Sequence, residues 1–143
     1  VAASQIAIVD DDASAALITQ HSLQAMLGDD VRVVVAQSPD EAWLACAEGK
    51  VDLLIVDPSP RSGAGPALLR AVRVYRPHVP ILVLTAYDTP GLRARMQDLS
   101  VDLYVPKPVD LRELAPQLRR LLRLGPRSAP SELKRSVPWS SPK

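Results

Sequence analysis

The chain has 143 residues, which suits one domain, and its hydrophobic fraction of 47% is enough for a core of Val, Leu, Ile and Ala, because Phe is absent and aromatics make up only 3%. The net charge of +1 carries no polyanion-binding signature, and the single cysteine, Cys46, excludes an intrachain disulfide and fits a reducing, cytoplasmic setting. No apolar stretch is long enough to cross a bilayer, and no signal peptide is expected.

Five short apolar runs alternate with helical stretches. The first, 5–9, ends at Asp10-Asp11, and Asp12 is expected to cap the helix that follows. The second is 31–36. Ser38-Pro39-Asp40-Glu41 then combines an N-cap, a proline at the first helical position and an acid three residues on, a capping box. Its helix carries Trp43 on the expected core face and Cys46 as a small buried residue, not a reactive thiol. The third run, 51–56, ends at Asp57. The fourth, 79–85, ends at Thr85-Ala86, and Thr89-Pro90 opens a helix with Leu92, Met96 and Leu99 at helical spacing. The fifth, 101–105, leads into Pro106-Lys107-Pro108. Asp110-Leu111-Arg112-Glu113 opens the last helix, with Leu111, Leu114, Leu118 and Leu121 on one face and an interior Pro116 that should bend it. His21 and His78 lie away from the acidic strand ends and read as surface or packing residues.

The runs are rich in Val, Ile and Leu without strict alternation, as in strands buried on both faces of a parallel sheet. The expected architecture is therefore a single α/β, doubly wound (βα)5, flavodoxin-like domain with strand order 2-1-3-4-5 and right-handed crossovers. Residues 1–124 form the expected domain. Residues 125–143 begin with Gly125-Pro126 and carry four basic groups against Glu132; they read as a Pro/Ser/basic tail or linker, extended or disordered.

In this fold Asp10, Asp11, Asp57, Thr85 and Lys107 gather at one edge of the sheet, where open α/β folds place their sites. Clustered carboxylates repel one another unless a cation neutralises them, which makes the edge a candidate metal site. Asp10-Asp11, Asp57, Thr85-Ala86, Tyr104 and Lys107-Pro108, in this order and spacing, resemble the receiver domain of response regulators in two-component signalling, over roughly residues 4–124.

The resemblance implies that Asp57 accepts a phosphoryl group from a sensor histidine kinase or phosphotransfer protein. Mg²⁺ would be held by Asp11, Asp57 and the backbone carbonyl of Ser59, with Asp10 acting mainly through metal-bound water. Thr85 and Lys107 would contact the phosphoryl oxygens, and Tyr104 would be an aromatic that moves inward on activation, although tyrosine is also an ordinary strand residue. Such a domain is a regulator and catalyses only its own phosphorylation and dephosphorylation. A homodimer through the fourth helix, fifth strand and fifth helix is a candidate, with Arg93 and Arg95 facing Asp98 and Asp102. An output domain would lie outside this chain, and neither direct nucleic-acid binding nor membrane attachment is expected.

Several residues depart from the family pattern. Pro58 directly follows Asp57 and offers no N–H, Pro60 and Pro106 stiffen the two loops, and the bulky Tyr87 stands two residues after Thr85. These motivate an alternative, a protein-interaction module of the same fold that phosphorylation does not regulate. A third reading rests on Asp10-Asp11-Asp12-Ala13-Ser14, which loosely resembles the opening motif of haloacid-dehalogenase-like phosphatases but leaves Asp57 unexplained.

Overall fold

A computed structural model of the chain describes residues 3–58 and 63–126. Strands and helices alternate: β1 (Ser4–Asp10), α1 (Ala13–Leu27), β2 (Val31–Val35), α2 (Pro39–Ala47), β3 (Leu53–Asp57), α3 (Ala64–Tyr75), β4 (Ile81–Thr85), α4 (Pro90–Asp98), β5 (Leu103–Pro106) and α5 (Leu111–Leu121). The sheet has the order β2-β1-β3-β4-β5 with every pairing parallel, as the sequence pattern predicts, so β2 and β5 are its edges.

Successive residues of the central strands feed two separate core layers. Ile6 and Ile8 of β1, Leu53 and Ile55 of β3, and Leu82 and Leu84 of β4 pack with Leu23 and Leu27 of α1 and Leu114 and Leu118 of α5. Ala7, Val9, Leu54, Val56, Ile81 and Val83 pack on the other side with Cys46 of α2, Leu69 and Val72 of α3, and Met96 of α4. Both faces of each central strand are covered, so period-two polarity is absent from their sequences. Cys46 is fully buried, and burial pushes its thiol up to about 11 against the opposing charge of Arg76, which leaves it an inert packing residue.

The helix starts follow the side chains expected to make them. Asp12, Ser38, Thr89 and Asp110 accept from the backbone N–H groups of Ala15, Glu41, Leu92 and Arg112 at 2.9–3.1 Å. In the α2 box the Glu41 carboxylate accepts from the N–H of Gln37, one residue before the cap. Helix α3 starts at Gly63 without a side-chain cap, so its sequence carries no start signal. Helix α5 runs through Pro116 to Leu121 without interruption.

Three strands begin two residues later than their apolar runs. Val51-Asp52 and Val101-Asp102 precede β3 and β5, because each aspartate turns its carboxylate to the start of a neighbouring strand. Asp52 accepts from the N–H of Gln5 on β1, and Asp102 from that of Ile81 on β4, each at 2.7 Å. In the fourth run, Val79 and Pro80 lie ahead of β4, and the Val79 carbonyl accepts from Arg73 instead of joining the ladder.

Arg119 of α5 is a second tertiary tie. It is 6% exposed, donates to the carbonyls of Leu27 and Gly125, and forms a two-bond pair with Asp30 at 2.8 Å, so it joins α1, the α1–β2 turn and the segment that follows α5. Replacing its guanidinium with an apolar chain leaves the Leu27 carbonyl without this donor. Arg119→Met is expected to lower the unfolding free energy by about 1–3 kcal/mol, measured by urea denaturation; an unchanged midpoint would reduce the tie to surface decoration. The predicted tail is described only to Pro126; residues 127–143 lie outside the described residues.

Candidate functional site

The site forms where β1, β3, β4 and β5 end. Parallel pairing sets Asp10 directly beside Asp57. Both side chains are largely withdrawn from solvent, at 8% and 13% exposure. Two carboxylates this close need a counter-charge, and Lys107 provides one. Its Nζ lies 2.7 Å from Asp57 Oδ2 and 3.6 Å from Asp10 Oδ2. The loop holding Lys107 is tied at its base, where the Lys107 N–H donates to the Thr85 carbonyl at 2.7 Å.

Two carboxylates and one ammonium leave this half-buried corner a negative charge in excess. Burial raises the Asp57 carboxyl above its ordinary range, and the hydrogen bond and charge of Lys107 only partly offset this. Lys107 is drawn down by its own burial, but the hydrogen bond and charge of Asp57, with Asp10 behind them, outweigh that and raise it overall. Both groups thus shift towards holding a proton, Asp57 mainly because burial disfavours its charge, and Lys107 because the two carboxylates outweigh its burial.

The other predicted residues are placed differently from one another. Thr85 is fully buried at the end of β4, and its Oγ1 accepts from the N–H of Tyr87 at 2.9 Å, which leaves its own hydroxyl proton to donate elsewhere. Asp11 is exposed, while the neighbouring Asp10 Oδ1 accepts from the Asp12 N–H at 2.9 Å. Among the described residues no three His, Cys, Asp or Glu side chains converge as ligands, and Ser59, expected to add a backbone carbonyl, lies outside them. His21 and His78 are exposed, and neither touches the acidic carboxyl ends of the strands in any contact described.

Tyr104 of β5 is tied outward. Its hydroxyl donates to Asp88 Oδ1 at 2.9 Å, Arg93 pairs with the same carboxylate through two nitrogens at 2.8 and 3.0 Å, and the Arg93 guanidinium lies 4.9 Å from the tyrosine ring centre. Its hydrogen bond to Arg93 in the first place, and to Tyr104 further down, holds the Asp88 carboxyl below its ordinary range. Sequence reasoning missed Asp88, and assigned Arg93 to a dimer face. The spacing Asp88-x₄-Arg93 across a helix start was the available signal. Asp102, assigned to the same dimer face, is also engaged within the chain: it pairs with Arg73 at 2.7 Å, and Arg73 reaches the carbonyls of Ser100 and Val79 as well. Two of the four charges expected across a two-fold are therefore already paired internally. Beside Lys107 an apolar groove of about 500 Å³ opens between α1 and the β5–α5 loop, lined by Ile18, Leu84, Pro108, Val109 and Leu111 among others.

A doubly wound five-stranded sheet with an acidic pair, a lysine and a buried threonine at its carboxyl edge defines a class of regulatory domain, and the comparisons agree with it. Residues 6–119 match the response regulator receiver domain, and the chain belongs to that family. Response regulator MprA of Mycobacterium sp. (strain KMS) is 34% identical over 129 residues, covering 90% of this chain and 53% of that protein. The DNA-binding transcriptional regulator NtrC of Rhizobium meliloti (strain 1021) is 30% identical over 129 residues, covering 90% of this chain and 26% of that protein. The chain thus spans about half the length of MprA and about a quarter of NtrC. Among solved structures, the non-phosphorylated HemR receiver domain from Leptospira biflexa is similar with a TM-score of 0.70 at 26% identity, over 88% of this chain and 99% of that one. TrrA from Thermotoga maritima, in complex with Mg(2+)-BeF, has the same fold, with a TM-score of 0.69 at 24% identity over 82% and 98% of the two chains. Among the described residues no helix is long and apolar enough to cross a membrane. Family membership sets the haloacid-dehalogenase-like reading aside.

Proposed function

We propose that this receiver domain is a phosphorylation-dependent switch with Asp57 as acceptor. The observation that carries the reading is the Lys107 ammonium set against Asp57 and Asp10 at adjacent strand ends. A histidine kinase or phosphotransfer protein would present a phosphohistidine. The Asp57 carboxylate attacks phosphorus, the P–N bond breaks, the imidazole leaves, and an acyl phosphate remains on Asp57. Lys107 then trades its hydrogen bond to the carboxylate for one to the phosphoryl oxygens, which add about −1.5 to −2 charge. The Thr85 hydroxyl donates to the same oxygens. Tyr104 moves inward only after its hydroxyl leaves Asp88.

The donor set fits Mg²⁺. Asp11, Asp57 and the Ser59 carbonyl would hold it, with Asp10 acting mainly through metal-bound water; all are oxygens, and Asp10 and Asp57 share one ammonium between them. When bound, the ion supplies the positive charge that lets two anions, carboxylate and phosphoryl, approach. The Mg(2+)-BeF complex of TrrA supports this assignment by fold.

Incubation with acetyl phosphate and Mg²⁺ tests the reading: intact mass should rise by one phosphoryl group. A well-folded protein whose mass does not change would favour the unregulated interaction module, to which Pro58, with no N–H beside the acceptor, lends support. Under that reading the amide spectra of α4 and β5 would stay fixed on adding beryllofluoride and Mg²⁺.

A further inference from the structure

Asp57 is placed by its neighbours, and those neighbours press on one glycine. The residue after it, Pro58, is buried, and so is Gly65 in the first turn of α3. A Cβ built on Gly65 would lie 3.0 Å from Pro58 Cβ and 3.1 Å from Pro58 Cα, with Val56 Cγ1 at 3.8 Å. The residues on both sides of Asp57 therefore meet α3 at a position where only hydrogen fits without displacement. The contact to Pro58 Cα is to main chain, which cannot swing aside as a flexible side chain does. Gly63, two residues earlier in the same helix start, has nothing within 4 Å of such a Cβ.

Gly63, at the N-cap of α3, makes no side-chain cap bond, and the packing of Gly65 on Pro58 is a local tie between α3 and β3. Pro58 also biases Asp57 towards extended backbone, which continues β3 to its last residue. The proline has no N–H to give, but its fixed ring makes it a rigid spacer between α3 and the acceptor.

We infer that Gly65 is a positioning residue for Asp57: by lacking a side chain it lets Pro58 seat against α3, and this seating holds the Asp57 carboxylate in reach of Lys107. The inference rests on the assignment of Asp57 as phosphoacceptor. In Gly65→Ala the Pro58 contact must give by a few tenths of an ångström, and on this inference Asp57 moves with it. Misplacement of about 1 Å costs up to roughly a hundredfold in a preorganised site, so a loss of about five- to tenfold in beryllofluoride affinity is expected.

The test is a calorimetric titration with beryllofluoride in excess Mg²⁺, with the Asp57 carboxyl ¹³C resonance recorded at neutral pH without metal. Gly63→Ala should match the parent chain in both. Gly65→Ala should bind at least several-fold more weakly and shift the resonance. Pro58→Gly removes the spacer without crowding α3 but adds an N–H beside the acceptor, so it is read by the metal-free Asp57 resonance and not by affinity: it should shift that resonance on its own, and Pro58→Gly/Gly65→Ala should shift it no further. That non-additivity is what a purely structural role of Gly65 would not produce. Parent-like affinity in Gly65→Ala, or an additive shift in the double variant, would overturn the inference. If Gly65→Ala does not fold, a parent-like Asp57 resonance in Pro58→Gly overturns it equally. If the parent chain itself binds no beryllofluoride, the acceptor assignment fails, while an unmoved Asp57 resonance in Gly65→Ala still decides against positioning.

Discussion

Asp57→Asn is expected to abolish labelling by acetyl phosphate completely while melting at or above the parent chain at neutral pH. The first half follows from chemistry, since an amide oxygen at this position is no nucleophile towards phosphorus. The second follows from burial. The Asp57 carboxyl is raised above its ordinary 3.8, with burial as the main cause and Lys107 as a partial offset. A carboxyl raised on folding makes its ionised form cost stability. The cost is absent below the unfolded value and fully present once pH exceeds the folded one. That upward direction already includes the favourable contact with Lys107, so removing the charge relieves more than it loses. Lys107 acts with the opposite sign: its raised value contributes stability that persists below 10.5 and fades as pH climbs through the folded value. Asp10 stays 3.6 Å away as its remaining partner. Thermal melts at neutral pH and near pH 4 check the sign, because the advantage of the amide should shrink on acidification. Residual labelling would move the acceptor to Asp10 or Asp11, and a large drop in melting temperature at neutral pH would contradict the burial argument.

Leu118→Ala is expected to be the most damaging single truncation on α5, lowering the unfolding free energy by about 2–5 kcal/mol. Leu118 is fully buried in the layer that joins α5 and α1 to the sheet, alongside Leu23, Leu27 and Leu114. A domain of this kind has roughly 5–15 kcal/mol in total, so the variant should unfold at a much lower urea concentration. Denaturation followed by circular dichroism measures it. A change below about 1 kcal/mol would mean that α1 and α5 close over the gap, since the cost depends on how far a site can collapse.

The order of elements was legible because each central strand is covered on both faces and each capped helix starts at Ser, Thr or Asp. The start of helix α3 was silent, since Gly63 makes no side-chain cap bond. Strand starts were misjudged at Asp52 and Asp102, where apolar neighbours extend the run but the carboxylate is spent on the adjacent strand. At the site, topology alone forces Asp10 beside Asp57 and puts Lys107 near them. The partners of Tyr104 went unread, although Asp88-x₄-Arg93 spans a helix start, because only the placed β4–α4 loop brings that pair against the tyrosine.

The two edges of the sheet bear on how the protein behaves when concentrated. An open edge strand offers unpaired backbone groups to another chain, and natural sheets blunt such edges with short strands, charge and proline. β5 has four residues and ends in Pro106, and β2 carries the exposed Arg32 at its second position. Pro106 cannot donate to an incoming strand, and the next N–H, that of Lys107, is already given to Thr85. The end of β5 that carries the lysine is thereby closed to strand addition, and self-association by edge pairing would not sequester the group on which the site depends.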